Sequence, residues 1–246
     1  MSPRTVALVG AAGGVGTTRL TVECGATLAR TGRDVAIFDS AFHTQGLRDY
    51  PHRTGTRDAT ALATGEATLE ETLVICEPGL SGRLTLCPAT TTMGQFQQTT
   101  SPEAADRFAT TVAGAALSRD AVLIDVPPTV TPLSRAVLGI ADLIVLVTTE
   151  TPRGTRALSR HQQRLHELGH PPDCVLFNHA DTTLQDAIAV PTSNQSDPYD
   201  CPTCAEPGRD ESFARAVTDA VESVFTLSIA QHQTESGLLK RLLGRS

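Results

Sequence analysis

The sequence predicts a three-layer α/β fold, in which helices cover both faces of a mostly parallel, doubly wound sheet. Short apolar segments alternate with longer segments of helical periodicity, which is typical of β–α–β units. Several apolar segments are continuous rather than alternating, as expected of strands covered on both faces. The first of them leads directly into a glycine-rich loop. We expect residues 1–225 to form one domain, followed by a linker and tail over residues 226–246.

The strand candidates are short runs rich in aliphatic and β-branched side chains. In chain order they are Thr5–Val9, Asp34–Asp39, Arg83–Pro88, Ala121–Asp125, Leu143–Thr148 and Cys174–Asn178. Helices are expected between them, over residues 19–29, 101–117, 151–168 and 213–225. The second and third begin with Ser101 and Thr151, each followed by proline at the first helical position. Residues 181–210 are rich in Asp, Ser, Pro and Thr, and this composition predicts a long loop inserted in the domain.

The loop after the first strand is the strongest functional signal. It reads Gly10-Ala-Ala-Gly-Gly-Val-Gly-Thr-Thr18 and precedes a helix. Glycines let backbone N–H groups turn toward an anion, and the N-terminus of the following helix favours negative charge. The order strand, glycine-rich loop and helix therefore predicts a phosphate-binding loop. The residues expected to bind the cofactor there are Gly13, Gly14, Val15, Gly16, Thr17 and Thr18.

With the segments that follow it, this loop resembles the deviant Walker A motif of the MinD/ParA family of P-loop ATPases, Gly-Lys-Gly-Gly-Val-Gly-Lys-Thr. Asp34–Asp39 with Gln45-Gly46 resembles the family's second strand and switch I. Residues 120–128 resemble its Walker B strand and switch II, and residues 141–147 and 175–181 resemble its next two strands. The run Gly-Gly-Val-Gly-Thr-Thr is also similar to the TadZ/CpaE branch, whose members are linked to pilus assembly sites. The resemblance covers residues 4–180 approximately, and it implies ATP and Mg²⁺ as cofactors and a homodimer.

The resemblance also implies roles for particular side chains. A Mg²⁺ ion is expected at Thr18, Asp39 and Asp125, where the hydroxyl would bind it and the carboxylates would hold its water ligands. Asn178 stands where the family places an asparagine that contacts adenine. For that residue, an asparagine that holds a turn is the alternative.

Departures from the family pattern fall on the groups that perform hydrolysis. Ala11 replaces the first loop glycine, Ala12 and Thr17 replace the lysines, and Ala41 replaces the second aspartate of switch I. A lost hydrogen bond to a charged group costs about 1.5–3 kcal/mol, or about 10- to 150-fold in affinity, which the backbone N–H groups can sustain. Charge-stabilising groups are worth about 10³–10⁵ in the rate of phosphoryl transfer. We therefore expect ATP binding with slow or absent hydrolysis, and whether the chain is an enzyme stays open.

Composition excludes several classes of protein. With 40% hydrophobic and 19% charged residues among 246, the chain is expected to be globular rather than disordered. A net charge of −7 argues against nonspecific coating of nucleic acid. No apolar run reaches the roughly 18–20 residues of a spanning helix, and no signal-peptide pattern stands at the N-terminus. The expected location is the cytoplasm, with peripheral association on the inner face of the membrane.

The C-terminal tail, residues 236–246, supplies that membrane expectation. As a helix it would place its leucines on one face and Lys240, Arg241 and Arg245 toward the other. Such a tail resembles the membrane-targeting tail of MinD, and it would bind an anionic membrane surface weakly as one copy and better as two. A helix end packed on its own domain, or a frayed tail, is the alternative.

The cysteines do not form a disulfide framework. Cys24, Cys76, Cys87 and Cys174 lie singly in apolar segments and are predicted to be core residues. The pair Cys201-Pro-Thr-Cys204 supplies two of the four ligands that zinc prefers, and a symmetric dimer would supply the others. Inert thiols, a bridging Zn²⁺ ion and a bridging iron–sulfur cluster stay open as interpretations.

The function expected first is that of an ATP-binding positioning or scaffold protein with an unknown protein partner, whose dimerisation and membrane association are linked to nucleotide. A ParA-like partitioning ATPase that acts on DNA is a second interpretation. It would use the arginines at helical spacing, Arg153, Arg156, Arg160 and Arg164, although a solvated helix face is the commoner reason for such spacing and we do not expect DNA binding. A dimeric metal carrier is a third interpretation, and an interaction module that binds no nucleotide is a fourth.

Overall fold

The computed structural model describes residues 5–50, 57–76, 79–180, 187–195 and 197–225. The strands are β1 (Thr5–Gly10), β2 (Asp34–Asp39), β3 (Val74–Ile75), β4 (Arg83–Cys87), β5 (Ala121–Val126), β6 (Leu143–Thr149), β7 (Cys174–Asn178) and β8 (Ile188–Val190). The helices are α1 (Thr17–Arg30), α2 (Ala59–Thr64), α3 (Leu69–Thr72), α4 (Met93–Thr99), α5 (Pro102–Ala115), α6 (Pro132–Ile140), α7 (Pro152–Glu167) and α8 (residues 211–225).

All eight strands belong to one sheet, in the order β3-β4-β2-β5-β1-β6-β7-β8. Neighbouring strands run parallel, except that the short edge strand β3 pairs antiparallel with β4. Each predicted strand is present to within a residue at its ends. The predicted mostly parallel sheet is therefore confirmed.

Helices pack on both faces of this sheet, which confirms the three-layer fold. Along β1, Val6 and Leu8 face the core beneath α1 and α8. The alternate residues Ala7 and Val9 face a second core beneath α2, α5, α6 and α7. Because both faces of β1 are buried, its sequence reads as a continuous apolar run.

The order in which strands are added to the sheet reverses beside β1, which lies between β5 and β6. After α1 the chain crosses to β2 on one side of β1, and β6 and β7 later extend the sheet on the other side. In open α/β sheets, ligands bind in the crevice at the carboxyl ends of the strands at such a reversal. The glycine-rich loop follows the carboxyl end of β1, so the topology places it in that crevice.

Within the segment predicted as a long loop over residues 181–210, the described residues include a strand and three helical turns. Ile188–Val190 joins the sheet as β8, and short 3₁₀ turns cover Pro198–Asp200, Thr203–Ala205 and Pro207–Arg209. A three-residue strand is too short to show a periodic pattern, which is why composition alone predicts a loop there. The tail over residues 226–246 lies outside the described residues.

Candidate functional site

The glycine-rich loop connects β1 to α1 in an open conformation. Gly14 and Gly16 have φ of 80° and 84°, in the left-handed region that glycine adopts without a steric penalty. The N–H of Ala11 donates to the carbonyl of Val147 on β6 over 2.8 Å, which anchors the start of the loop to the sheet. Gly13 and Gly14 are exposed, and no atom stands within 4 Å of the position that a Cβ on either would occupy. An anion can therefore reach the backbone N–H groups of this loop.

The positions that depart from the family pattern hold small side chains here. Ala12 is half-buried, and the Thr17 hydroxyl packs over Gly10, 2.7 Å from the position that a Cβ on Gly10 would occupy. Ala41 is buried, and its N–H donates to Oδ1 of Asp39 over 2.8 Å. None of these side chains carries a charge toward the loop.

Two buried carboxylates lie beside the first turn of α1. Asp39 ends β2 and is the register partner of Asp125 on β5. The Thr18 hydroxyl donates to Oδ2 of Asp125 over 2.6 Å, and the two carboxylates are 0% and 2% exposed. The three residues predicted as the Mg²⁺ site are therefore brought to the same place by the register of β2 with β5 and by α1.

Burial disfavours the charge on both carboxylates. It raises the pKa of Asp39 to about 6, although the N–H groups of Ala41 and Ala89 oppose this shift by donating to the carboxylate. Burial and the neighbouring charge of Asp39 raise the pKa of Asp125 to about 7. Two carboxylates that are costly to ionise together gain from a divalent cation beside them. In the described part of the chain, no group of three or more His, Cys, Asp or Glu side chains is arranged to hold a metal ion, so a cation here would need the Thr18 hydroxyl beside the two carboxylates.

The segment after β2, named switch I here for its resemblance to that family's segment, contacts this pair. The hydroxyl of Ser40 donates to the carbonyl of Asp125 over 2.7 Å. The backbone at Gly46 lies so close to Thr18 that an added Cβ would come within 3.0 Å of the Thr18 hydroxyl. The loop, the carboxylates and switch I therefore form one contiguous site.

Asn178 lies at the end of β7 and contacts the glycine-rich loop directly. Its Nδ2 donates to the carbonyl of Val15 over 3.0 Å, and the side chain is 3% exposed. The backbone of Gly16 passes so close that any Cβ there would collide with Nδ2 of Asn178. These contacts show Asn178 holding the turn of the glycine-rich loop. The contact with adenine stays a prediction.

A cavity of about 220 Å³ opens beside Gly16 and Asn178. Its polar side chains are those of Arg19, Tyr50, His179, Thr192, Ser193 and Gln195, and Pro198 and Phe213 add apolar surface. The Thr192 hydroxyl and Nδ1 of His179 are hydrogen-bonded over 3.1 Å. The cavity therefore extends from the glycine-rich loop toward the segment that follows β8.

The interpretation of Cys201 and Cys204 as metal ligands is not supported. The two side chains are 4% and 0% exposed, so their sulfur atoms face the interior of one chain rather than a partner. Cys201 donates to the carbonyl of Asp197, and burial raises its pKa to about 11. Burial also raises the pKa of Cys204. Metals bind the thiolate, which these surroundings disfavour, and inert buried thiols fit the structure better than Zn²⁺ or an iron–sulfur cluster.

Sequence reasoning missed two side chains of this region. Glu23 on α1 is fully buried and pairs with Arg19 over 2.6 Å. The signal was present, because Glu23 follows Leu20 by three residues and precedes Thr27 by four. All three are therefore on one helix face, and Leu20 and Thr27 are buried. A charged residue on a buried face is paired as a rule, and Arg19 stands four residues before it.

Two other predicted features lie away from this site. The arginines Arg153, Arg156, Arg160 and Arg164 are exposed on α7, and within the described residues no ion pair involves them. Residues 236–246, the predicted membrane tail, are outside the described residues. Among the described residues, no helix combines the length and the apolar character needed to cross a membrane.

Comparison with known proteins places the fold. No family model and no curated protein matches the sequence. Among solved structures, a ParA family ATPase from Chlorobium tepidum has a TM-score of 0.69 at 16% identity, over 89% of this chain and 98% of that one. MinD from Pyrococcus horikoshii, complexed with Mg-ADP, has a TM-score of 0.68 at 16% identity, over 90% and 95%. The MinC:MinD complex of Aquifex aeolicus has a TM-score of 0.68 at 19% identity, over 91% and 96%.

These matches confirm the predicted resemblance at the level of the fold. The chain has the P-loop NTPase fold of the MinD and ParA structures, along nearly its whole length.

Proposed function

We propose that this chain is a MinD/ParA-like positioning or scaffold protein that binds ATP with Mg²⁺ and hydrolyses it slowly or not at all. One observation carries the proposal. The open glycine-rich loop ends at Thr18, whose hydroxyl is hydrogen-bonded to the buried Asp125, the register partner of Asp39.

The loop supplies the phosphate site. Its backbone N–H groups and the N-terminus of α1 attract negative charge without any lysine. Exposed Gly13 and Gly14 leave room for phosphate oxygens to approach. Thr18, Asp39 and Asp125 would hold a Mg²⁺ ion, which when bound would neutralise charge on the phosphates. The carboxylates would gain a counter-charge in return, which favours joint binding of metal and nucleotide.

The cavity beside Gly16 suits the base end of the nucleotide. Its 220 Å³ is below the roughly 300–1,000 Å³ of a site for a whole small molecule, so it fits one part of a ligand that extends from the loop. The hydroxyl, amide and guanidinium groups of Thr192, Gln195 and Arg19 offer hydrogen bonds, and Phe213 offers an apolar surface. One structural neighbour, MinD from Pyrococcus horikoshii, is described as complexed with Mg-ADP.

Slow hydrolysis is expected from the side chains at the positions that differ from the family pattern. Ala12, Thr17 and Ala41 supply neither positive charge for the transferred phosphate nor a carboxylate to orient water. Bound ATP would then act as a long-lived switch on dimerisation. Two tails in a dimer would hold an anionic membrane far better than one, and a protein partner would be positioned there. One neighbour is described as a MinC:MinD complex, which supports a protein partner for this chain.

Calorimetric titration of the purified chain with ATP and Mg²⁺ tests the nucleotide step. We expect a dissociation constant in the micromolar range, because the backbone site compensates for the missing lysine contacts. ATP turnover is expected to be undetectable or very slow in the same sample. A folded sample that binds no ATP up to millimolar concentration would contradict the proposal and favour an interaction module without nucleotide.

Deletion of residues 236–246 tests the membrane step. We expect the full chain to cosediment with vesicles that contain anionic lipid when ATP and Mg²⁺ are present, and the deletion variant to stay in solution. Leu242→Glu is a second test that keeps the length of the tail, and it should reduce vesicle binding to the same extent as the deletion. Equal binding of the full and shortened chains would show that the tail is not the anchor.

A DNA-partitioning ATPase is the second candidate function, and the exposed arginine row on α7 is the observation that favours it. Phosphate binding by such a row would weaken steeply with salt. DNA-stimulated ATP turnover that is lost in Arg156→Ala/Arg160→Ala would replace the first proposal with this one.

A further inference from the structure

Glu23 is a fully buried carboxylate on α1, the helix that begins at the phosphate loop. It accepts a hydrogen bond from Nε of Arg19 over 2.6 Å. It also accepts hydrogen bonds from the backbone N–H groups of Thr203 over 2.9 Å and of Cys204 over 2.7 Å. These donors account for the burial of the charge, because a buried carboxylate needs both a counter-ion and hydrogen bonds.

The contacts join two parts of the chain that are 180 residues apart in sequence. Arg19 strengthens the connection, since its Nη2 donates to the Thr203 hydroxyl over 2.7 Å. Its guanidinium also lies 5.6 Å from the ring centre of Phe213 on α8. The segment over residues 201–204 is thereby attached to the phosphate-loop helix at several points.

This attachment shapes the cavity beside Gly16. Thr192, Ser193, Gln195 and Pro198, which come shortly before the attached segment, line the cavity together with Arg19. Glu23 does not line the cavity itself. It is the shared acceptor of Arg19, which lines the cavity, and of the segment that follows the lining residue Pro198.

We infer that Glu23 is a positioning residue that sets the width of the base cavity, so that its loss weakens the binding of the base and leaves the phosphate site intact. The inference rests on the proposed function. It assigns a role to the Cys201-Pro-Thr-Cys204 segment as well, since Glu23 holds that segment and the segment follows the lining residue Pro198 in the chain. The thiols are buried packing groups in this arrangement.

Glu23→Gln tests the inference, because it keeps the size of the side chain and removes the charge and one acceptor oxygen. The probes are ATP and inorganic tripolyphosphate, each with Mg²⁺, titrated by calorimetry. We expect ATP affinity to fall by about 10-fold or more, because a weakened hydrogen bond to a charged group costs about 1.5–3 kcal/mol and here that cost falls on the arrangement that binds the base. The affinity for tripolyphosphate should change by less than about 3-fold, because that probe reaches only the loop. Glu71→Gln is the control, since Glu71 caps α3 from an exposed position.

The outcomes separate the two proposals. A wild-type chain that binds neither probe would overturn the proposed function and the inference with it. If the wild-type chain binds both probes, the inference alone would be overturned by either of two results. One is that Glu23→Gln loses affinity for ATP and for tripolyphosphate equally, and the other is that it loses affinity for neither. If Glu23→Gln fails to fold, Thr203→Val removes only the Arg19 contact. It should lower ATP affinity selectively and speed amide hydrogen exchange over residues 192–204, and unchanged values for both would overturn the inference.

Discussion

Gly16→Ala is expected to abolish ATP binding and to lower the melting temperature by about 5 °C or more. The residue has φ of 84°, which costs an alanine about 1–2 kcal/mol. The added Cβ would also collide with Nδ2 of Asn178, so the hydrogen bond of that amide to Val15 must break. For a chain of this size, each kcal/mol lowers the melting temperature by about 2–4 °C. Thermal unfolding and calorimetry measure the two effects.

Gly13→Ala is the matched control for fold stability. Its φ is not in the left-handed region, and no atom lies within 4 Å of its added Cβ. A surface substitution of this kind changes stability by no more than about 0.5 kcal/mol. If Gly16→Ala and Gly13→Ala had the same melting temperature, the close approach of Asn178 to the loop would not constrain the site.

Asp125→Asn is expected to stabilise the chain at pH 8 in the absence of Mg²⁺, while it removes the stabilisation that Mg²⁺ with ATP confers. Burial and Asp39 raise the pKa of Asp125 to about 7, above the ordinary value of 3.8. The folded state therefore binds more protons than the unfolded state between these values, and stability falls as pH rises through about 7. An amide carries no charge and avoids this penalty. We expect a melting temperature about 5 °C or more above wild type at pH 8.

The same variant should flatten the dependence of stability on pH. Between pH 6.5 and 8, with chelator present, the wild-type melting temperature should fall as pH rises, and that of Asp125→Asn should fall less. This window lies above the range in which the lowered pKa of His161 destabilises the folded state, since that effect appears only as pH falls below about 6.5. A wild-type chain that gains stability from pH 6.5 to 8 would show that the two carboxylates are not a strained pair.

The features that sequence reasoning predicted are the local ones. Strands such as β1 and β5 are continuous apolar runs, and helices such as α5 and α7 begin with a cap residue and proline, so each is encoded within a few neighbouring residues. The order of glycines between Gly10 and Thr18 is equally local. The carboxylates Asp39 and Asp125 were predicted only through resemblance to a family, because nothing in a single sequence states that they share a register.

The environment of the Cys201 to Cys204 segment could not be predicted from the sequence. From spacing alone, the pair was open to metal binding. In the structure, Glu23 accepts hydrogen bonds from the N–H groups of this segment, although it is far away in sequence. The segment is therefore held in the interior. Burial then raises the pKa of the thiols.

By itself the sequence determined the glycine-rich loop, the strands that position it and the absence of lysine from it, because these depend on the types of neighbouring residues. Only the tertiary structure decided that Asn178 is hydrogen-bonded to the loop and that Glu23 connects α1 to the segment at Thr203 and Cys204. These features depend on hydrogen bonds between residues far apart in the chain, and such partners are chosen by the packing of the whole domain rather than by any local pattern.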